Sequence, residues 1–589
     1  MITVKLLLIT CLTFMFSLSG IAQQKYSEPY RPQFHFSPEK GWIGDPDGLV
    51  RYNNKYHLFW WGHAVSEDLV YWEEKAWPMP NSPFDFYSGS AVIDKSNTAG
   101  FKTGTSAPMI AIFTNHNTTA NVDGPALAYS NEFGTEYTYF NLYNSGSPLM
   151  TPSLGFRDPS VFWDANSNQW IMVIAKSDQS KVLFYRSLNL KTWQLINSFS
   201  SSIIKGWWEC PDLFQLPVDG NSNNTKWVLI IGVNGKTQYF IGDFNSQTGF
   251  KVDRNYDADL IADYGSDFYA ARTFRDYDNV ERRTVMIAWL GNWDYANSTP
   301  TSWGRGTESI PREIALKTFT DGIRLVQKQI PALQKLRSDS VIISNRTFQD
   351  IQNLTEFIPK VNCYEIDAVF NITAGTNFGM NLCVERTNKV VLGYDATTSN
   401  IYLDRRNSGN VSFSNSFPNI VSAPLLPDKG QIKLHVYVDQ SSIEVFANDG
   451  VKVISSLIFP EPSSKGIQFF STNGHTTVES FKAYNLKSIW ATFPTVINEV
   501  QIPVNNGIEL YPNPLKAGQD LRLILTNNLI NVSNLDVKIY TIQGKKITEE
   551  KNLALNGNSF RFPNNLIPGV YIVNVETKEF TEAFKLIVQ

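Results

Sequence analysis

Three acidic residues of this sequence stand beside prolines and tryptophans: Asp45 in "WIGDPDG" (Trp42 to Gly48), Asp158 in "GFRDPSVFW" (Gly155 to Trp163) and Glu209 in "WECPDLF" (Trp208 to Phe214). Two carboxyl groups across a pocket, one ionised and one protonated, suit glycoside hydrolysis: the first attacks the anomeric carbon while the second protonates the leaving oxygen. Trp42, Trp207 and Trp208 beside these acids are expected to add apolar walls, which suit sugar faces and raise the pKa of a general acid by desolvation. Arg157, next to Asp158, is expected to keep that third carboxylate ionised and to favour hydrogen bonds to sugar hydroxyls.

These acids lie far apart in the chain, so the fold has to gather them. Proline cannot donate to a sheet ladder, so Arg157-Asp158-Pro159 is expected at a strand entrance, with Ser160 to Trp163 entering the core. Runs such as "KYHLFWWG", "QWIMVIAKS", "KVLFYRS", "KWVLIIGVNG" and "RRTVMIAWLGNW" are short and rich in β-branched and aromatic residues. Amphipathic helices are almost absent, which predicts an all-β protein built as a propeller or sandwich. In a propeller the first strand of every blade lines a central channel, so acids at those strand entrances converge.

The chain has 589 residues, enough for about two to four domains. Residues 1–22 combine Lys5, an apolar run and small residues at Gly20 and Ala22, the pattern of a signal peptide. No later stretch is long and apolar enough to span a bilayer, so no membrane-spanning segment is expected in the mature chain. Lys plus Arg number 51 against 55 Asp plus Glu, a net charge of −4, and there is no basic patch to bind nucleic acid. The six histidines (His35, His57, His63, His116, His435 and His475) form no short-spaced cluster, so neither a metal nor another cofactor is implied. Cys363 and Cys383 flank what reads as a hairpin and could pair, whereas Cys210 beside Glu209 is a packing residue or a pKa modulator.

Tryptophan divides the chain: fourteen of fifteen lie at or before Trp303. The expected plan is a catalytic unit over 29–320, a β-sandwich over 321–487, a linker over 488–507 and a small β-sandwich over 508–589. The sandwich is suggested by "QIKLHVYVDQSSIEVFANDG" with its Asn448-Asp449-Gly450 turn. In the last unit, Tyr511-Pro512-Asn513-Pro514, Ile539-Tyr540 with Gly544, and Gly569-Val570-Tyr571 resemble the C-terminal sorting domain of the type IX secretion system of Bacteroidetes. That resemblance implies secretion machinery as a partner, export through the periplasm of a Gram-negative bacterium, and a secreted or cell-surface protein.

"HFSPEKGWIGDPDGLV", "WGHAVSEDLVYW", "YSGSAVID", "FRDPSVFW", "WECPDLFQLP", "DFYAARTF" and "IAWLGNWDYANSTPT" together resemble glycoside hydrolase family 32, the invertases, inulinases and levanases. The resemblance runs nearly continuously from His35 to about Leu316, and "SSIEVFANDG" and "LIFPEP" resemble that family's C-terminal module. It implies a five-bladed β-propeller, a fructan or sucrose substrate, and retention at the anomeric centre. It makes Asp45 the nucleophile, Glu209 the acid/base and Asp158 the transition-state stabiliser. Arg157 would bind fructosyl hydroxyls, and Trp42, Trp61, Tyr87, Ser88, Tyr269 and Trp289 would bind substrate.

Two departures stand out. Family members usually read Asn-Asp-Pro-Asn where this chain has Gly44-Asp45-Pro46-Asp47, so an amide is missing and an acid is added. Phe59-Trp60 also runs directly into Trp61-Gly62-His63 where relatives carry a longer segment with a glutamine and a tryptophan. Trp60 and Trp61 can offer an aromatic wall and one N–H each, so a wide, shallow entrance suited to polymer ends is expected. The activity expected is an exported β-fructofuranosidase acting on levan or inulin ends, with sucrose open as a further substrate. The rivals are a fructosyltransferase on the same scaffold, a non-catalytic fructan-binding protein, and a family 43 enzyme acting on arabinose or xylose polymers.

Overall fold

The computed structural model describes residues 25–490, apart from 83–84, 142–148, 254–259, 279 and 281–282, and much of 508–588. The expected signal peptide at 1–22, and the expected linker from 491 on, lie outside the described residues. The chain forms two compact units that divide between Phe493 and Pro494. Among the described residues no helix is long and apolar enough to cross a membrane.

The first unit opens with successive antiparallel arrays of short strands. Asp47–Tyr52 leads Lys55–Phe59, His63–Ser66 and Trp72–Lys75; Asp85–Ile93 leads Met109–Asn117, Val122–Ser130 and Thr138–Asn141. Phe156–Asp164 leads Gln169–Lys176, Lys181–Ser187 and Gln194–Ser200, and Glu209–Val218 leads Asn221–Val233, Lys236–Asn245 and Gly249–Val252. The next array is Tyr269–Thr273, Thr284–Trp289, Arg312–Phe319 and Gly322–Gln329, its last strand pairing with Arg312–Phe319. Middle strands are almost wholly apolar because both faces are covered: Ile171 to Ala175 and Val228 to Ile231 are fully or nearly fully buried.

The leading strands share a defect. The ladder register slips between Asp47 and Val50, Tyr87 and Gly89, Arg157 and Ser160, Glu209 and Asp212, and Tyr269 and Arg272. These are β-bulges, which twist a strand and re-aim side chains. At four of them a residue has positive φ: Gly48 (54°), Asp158 (62°), Cys210 (47°) and Ala270 (54°). A non-glycine residue there costs of order 1–2 kcal/mol, so the surrounding packing must impose it. Pro159 and Pro211 therefore sit inside strands, at bulges where a missing N–H breaks no ladder bond, and not at strand entrances as expected; Pro46 alone precedes its strand. Asp212 ties three leading strands together. It accepts hydrogen bonds from Ser160 Oγ (2.8 Å), Thr273 N (2.9 Å) and Thr273 Oγ1 (2.6 Å), and pairs with Arg275.

From Arg337 onward the sheet order places Gly466–Leu486 between Tyr364–Asn371 and Asn377–Glu385. The strands beside Cys363 and Cys383 are thus not a hairpin. The two thiols are free and buried in different apolar clusters, and Cys383 Sγ lies 3.8 Å from Tyr364 Oη. Alternation is regular: Ile366, Ala368 and Phe370 are buried opposite Val436, Leu434 and Ile432. Asn448, Asp449 and Gly450 turn with positive φ (45°, 59° and 81°), the conformation these residue types tolerate.

A buried ionic cluster joins the arrays to this sheet. Arg312 pairs with Asp263 (3.0 Å) and Glu444; Glu444 also meets His35 Nε2 (2.9 Å), and His35 Nδ1 meets Asp439 (2.8 Å), all with fully buried side chains. Burial alone would depress His35, but its bonds to Asp439 and Glu444 raise it to about 9. The second unit has a sheet of Ile508–Tyr511, Leu521–Leu525 and Ser559–Phe562, and another of Lys546–Ala554, Asn534–Thr541, Gly569–Glu576 and Thr581–Val588. Leu521 and Leu523 of one sheet share a core with Val537, Ile539 and Val573 of the other.

Candidate active site

The bulged leading strands and the turn before Asp47 bring the three acids to one cavity of about 560 Å³. Asp45, Asp158 and Glu209 all line it, with Trp42, Trp61, Tyr87, Ser88 and Arg157. Tyr269 and Trp289 do not. Tyr269 lies behind Glu209 and donates from its hydroxyl to Oε2 (2.9 Å), while Trp289 is fully buried beneath Trp42 (ring centroids 5.9 Å) and Trp293 (4.8 Å).

Asp45 is held from one side only. Ser88 Oγ donates to its Oδ2, which also receives Cys210 Sγ at 3.2 Å, whereas its buried Oδ1 has no hydrogen-bond partner among the described residues. Asp158 accepts the Cys210 N–H at 3.0 Å and is buried. Its pKa is raised to about 6, because burial outweighs the attraction of Arg157 and the Asp45 charge adds to the rise. Arg157 lowers Asp158 through its charge, while its hydrogen bonds go elsewhere: its Nε and Nη2 donate to Asp123 (3.1 and 2.7 Å), and Nη1 reaches Glu209 Oε1 at 3.5 Å. Glu209 is raised further, to about 7, by burial and by the charges of Asp158 and Asp45, against the lowering effect of the Tyr269 hydrogen bond. The cavity thus holds Glu209, a carboxyl group raised toward neutral pH, beside an Asp45 oxygen with no hydrogen-bond partner among the described residues.

Cys210 touches both aspartates, and burial and their charges push its thiol well above the ordinary range, so it stays a neutral donor. Trp208, expected as a pocket wall, is fully buried and packs on Phe199 and Phe240 in the core. Trp207 does not line the cavity either, but its ring lies 5.5 Å from the guanidinium of Arg157, which does. Trp60 and Trp61 both line the cavity, but the Trp61 N–H is spent on Tyr87 O (3.0 Å).

Sequence reasoning missed Asp123, which fixes the Arg157 fork while its other oxygen meets His116 Nδ1 (2.7 Å). It missed Trp293, stacked on Trp42 at 5.7 Å. It also missed Glu308, buried close to Asp45 and Asp47. Among the described residues no group of three or more His, Cys, Asp or Glu is arranged to hold a metal ion.

Residues 35–329 match the Glycosyl hydrolases family 32 N-terminal domain, residues 332–485 the family's C-terminal domain, and residues 509–589 a secretion system C-terminal sorting domain. A levanase of Bacillus subtilis is 39% identical over 536 residues, covering 86% of this chain and 78% of the relative. The extracellular exo-inulinase inuE of Aspergillus niger is 33% identical over 529 residues, covering 80% and 98%. The crystal structure of exo-inulinase from Aspergillus awamori superimposes with a TM-score of 0.73 at 33% identity, over 79% of this chain and 100% of that one. The β-fructofuranosidase of Schwanniomyces occidentalis complexed with fructosyl-erythritol gives 0.70 at 28% identity, over 79% and 99%. With the matched domains spanning the acid-lined cavity and the sheet behind it, the chain belongs to glycosyl hydrolase family 32.

Proposed function

We propose that this protein is an exported fructan β-fructosidase that releases terminal fructosyl units from levan or inulin with retention of configuration. The observation that carries the reading is the pairing, in one cavity, of Asp45 with an unpartnered Oδ1 and Glu209 with a pKa of about 7. Asp45 attacks the anomeric carbon through Oδ1, while Ser88 and Cys210 steady Oδ2. Glu209 gives its proton to the departing oxygen; the carboxylate left behind is stabilised by Tyr269 and Arg157 until it takes a proton from the incoming water. Asp158, mostly ionised at neutral pH, accepts hydrogen bonds from sugar hydroxyls and offsets the positive charge that develops on the ring.

Five four-stranded arrays with a bulge in every leading strand support a five-bladed propeller, whose channel mouth is this cavity. Relatives named levanase and exo-inulinase support a fructan substrate, and the sorting domain supports export. We read the route as passing through the periplasm of a Gram-negative bacterium, after removal of residues 1–22, to the medium or cell surface.

The test is hydrolysis of levan, inulin and sucrose by the wild type and by Asp45→Asn and Glu209→Gln. Each variant is expected to lose roughly three or more orders of magnitude in kcat, because nucleophile and proton donor act as a unit. Transfer to methanol should give the β-methyl fructofuranoside. Either variant keeping more than about a tenth of the wild-type rate would overturn the assignment.

A further inference from the structure

Asp47 stands two residues from Asp45, is 3% exposed, and lines the same cavity. Among the described residues its carboxyl group makes one hydrogen bond: Oδ1 accepts the Gly89 N–H at 2.8 Å. Its surroundings are dominated by acids. Asp45 faces it from its own segment, Asp158 from the strand Phe156–Asp164, and Glu308 from the segment ahead of Arg312. The cation that faces it is Arg272, whose Nη1 and Nη2 are directed instead to Pro211 O (3.3 Å) and Asp158 O (3.4 Å). Glu308 is a second anomaly: 1% exposed, with neither carboxyl oxygen partnered among the described residues.

A buried carboxylate without an ion-pair partner is expensive, and it is relieved by taking up a proton. We propose that Asp47 works as a neutral carboxylic acid, its Oδ1 fixed by Gly89 and its other oxygen donating a hydrogen bond to a hydroxyl of the sugar seated against Asp45. Glu308, also neutral, closes the wall behind it. Burial pushes both groups well above the usual carboxylate range; for Asp47 Arg272 opposes this while Asp45 adds to it, and for Glu308 the charges of Asp45 and Asp47 add to it. A neutral acid offers both a donor and an acceptor, whereas a carboxylate would only accept and would repel Asp45 and Asp158. Asp47 is thus a substrate-binding residue that donates to a sugar hydroxyl where a carboxylate could only accept.

The inference rests on the fructosidase reading, so its test has one arm that needs no substrate. In infrared spectra of the full chain at neutral pH, Asp47→Asn and Glu308→Gln should each remove a protonated-carboxyl C=O band present in the wild type. In the slow Glu209→Gln background, adding Asp47→Ala should weaken binding of a fructose trisaccharide tenfold or more. Asp47→Asn, which keeps a donor and an acceptor, should restore most of that loss and make the affinity independent of pH on the alkaline side, where Asp47 itself loses its proton. Absence of the Asp47 band, or an Asn variant no better than Ala, would overturn the inference while hydrolysis by the wild type left the fructosidase reading standing. Conversely, full activity in Glu209→Gln would sink that reading with the infrared band still in place.

Discussion

Replacing Tyr269 with phenylalanine tests how the acid/base is tuned. The ring lies against Gly232, where an added Cβ would meet it at 2.8 Å, and is 5% exposed, so phenylalanine keeps the packing and removes one hydroxyl. What is lost is the 2.9 Å hydrogen bond to Glu209 Oε2. A hydrogen bond to a charged acceptor contributes about 1.5–3 kcal/mol against about 1 for a neutral one, so its loss penalises the carboxylate over the acid by about 1 kcal/mol. That is a rise of somewhat under one pH unit. The Glu209 side chain is 20% exposed, so water replaces part of the bond and one unit is an upper bound. The alkaline limb of kcat/KM should therefore move from about 7 toward roughly 8. The rate at the optimum should fall by up to about fivefold, because the carboxylate formed after proton donation is less well held by about 1 kcal/mol. Initial rates on a fructan across the pH range give both quantities. A limb that stays in place or moves to lower pH would refute this account of Glu209.

Asp123→Ala removes both anchors of the Arg157 fork, so KM for a fructan should rise roughly tenfold with a smaller change in kcat; an unchanged KM would show that Arg157 is positioned without it. His57 and His63 form a buried neutral pair (Nδ1 to Nε2, 3.1 Å), and burial lowers His57 to about 4. The unfolded chain binds that proton below its ordinary value of 6.5 and the folded chain does not, so stability should drop by about 3 kcal/mol as pH falls from 6.5 to about 4. Thermal melts across that window check it, and His57→Gln should flatten the slope. His35 behaves oppositely: its contribution is complete below 6.5 and lost as pH rises through about 9, so His35→Gln should cost more stability at acid than at alkaline pH. Because Cys363 and Cys383 are free, a reductant should shift the melting temperature by less than about 1 °C.

The three acids were legible because each sits within two residues of a proline among aromatics, and short β-branched runs announced strands. The reason the prolines are tolerated was not legible. A bulge is a mismatch between two strands, and nothing in "FRDPSVFW" alone states that Arg157 faces Ala175 while Ser160 faces Val173. Trp208 was misplaced because adjacency to Glu209 in sequence does not say which way a side chain turns, and its ring turns into the core. Asp123 and Glu308 lie in "NVDGPAL" and "GTESIPRE", stretches with no chemical signature of their own, and acquire their importance from distant neighbours. The Cys363 and Cys383 hairpin failed for a topological reason: the strand that comes between them is the last of its sheet in the chain, Gly466–Leu486.

The ionic cluster of Arg312, Glu444, His35 and Asp439 bears on how this protein can be cut. Arg312 follows Glu308 by four residues, and half of its counter-charge is Glu444 from the following sheet. A fragment ending near Gln329 would retain the guanidinium and Asp263 but lose Glu444, and His35 would lose both of its acidic partners at once. Breaking such a buried pair costs about 3–5 kcal/mol, a large share of a domain's stability. The minimal portable catalyst therefore extends to about Leu486, and engineers seeking a smaller one would first have to make residues 35, 263 and 312 apolar together.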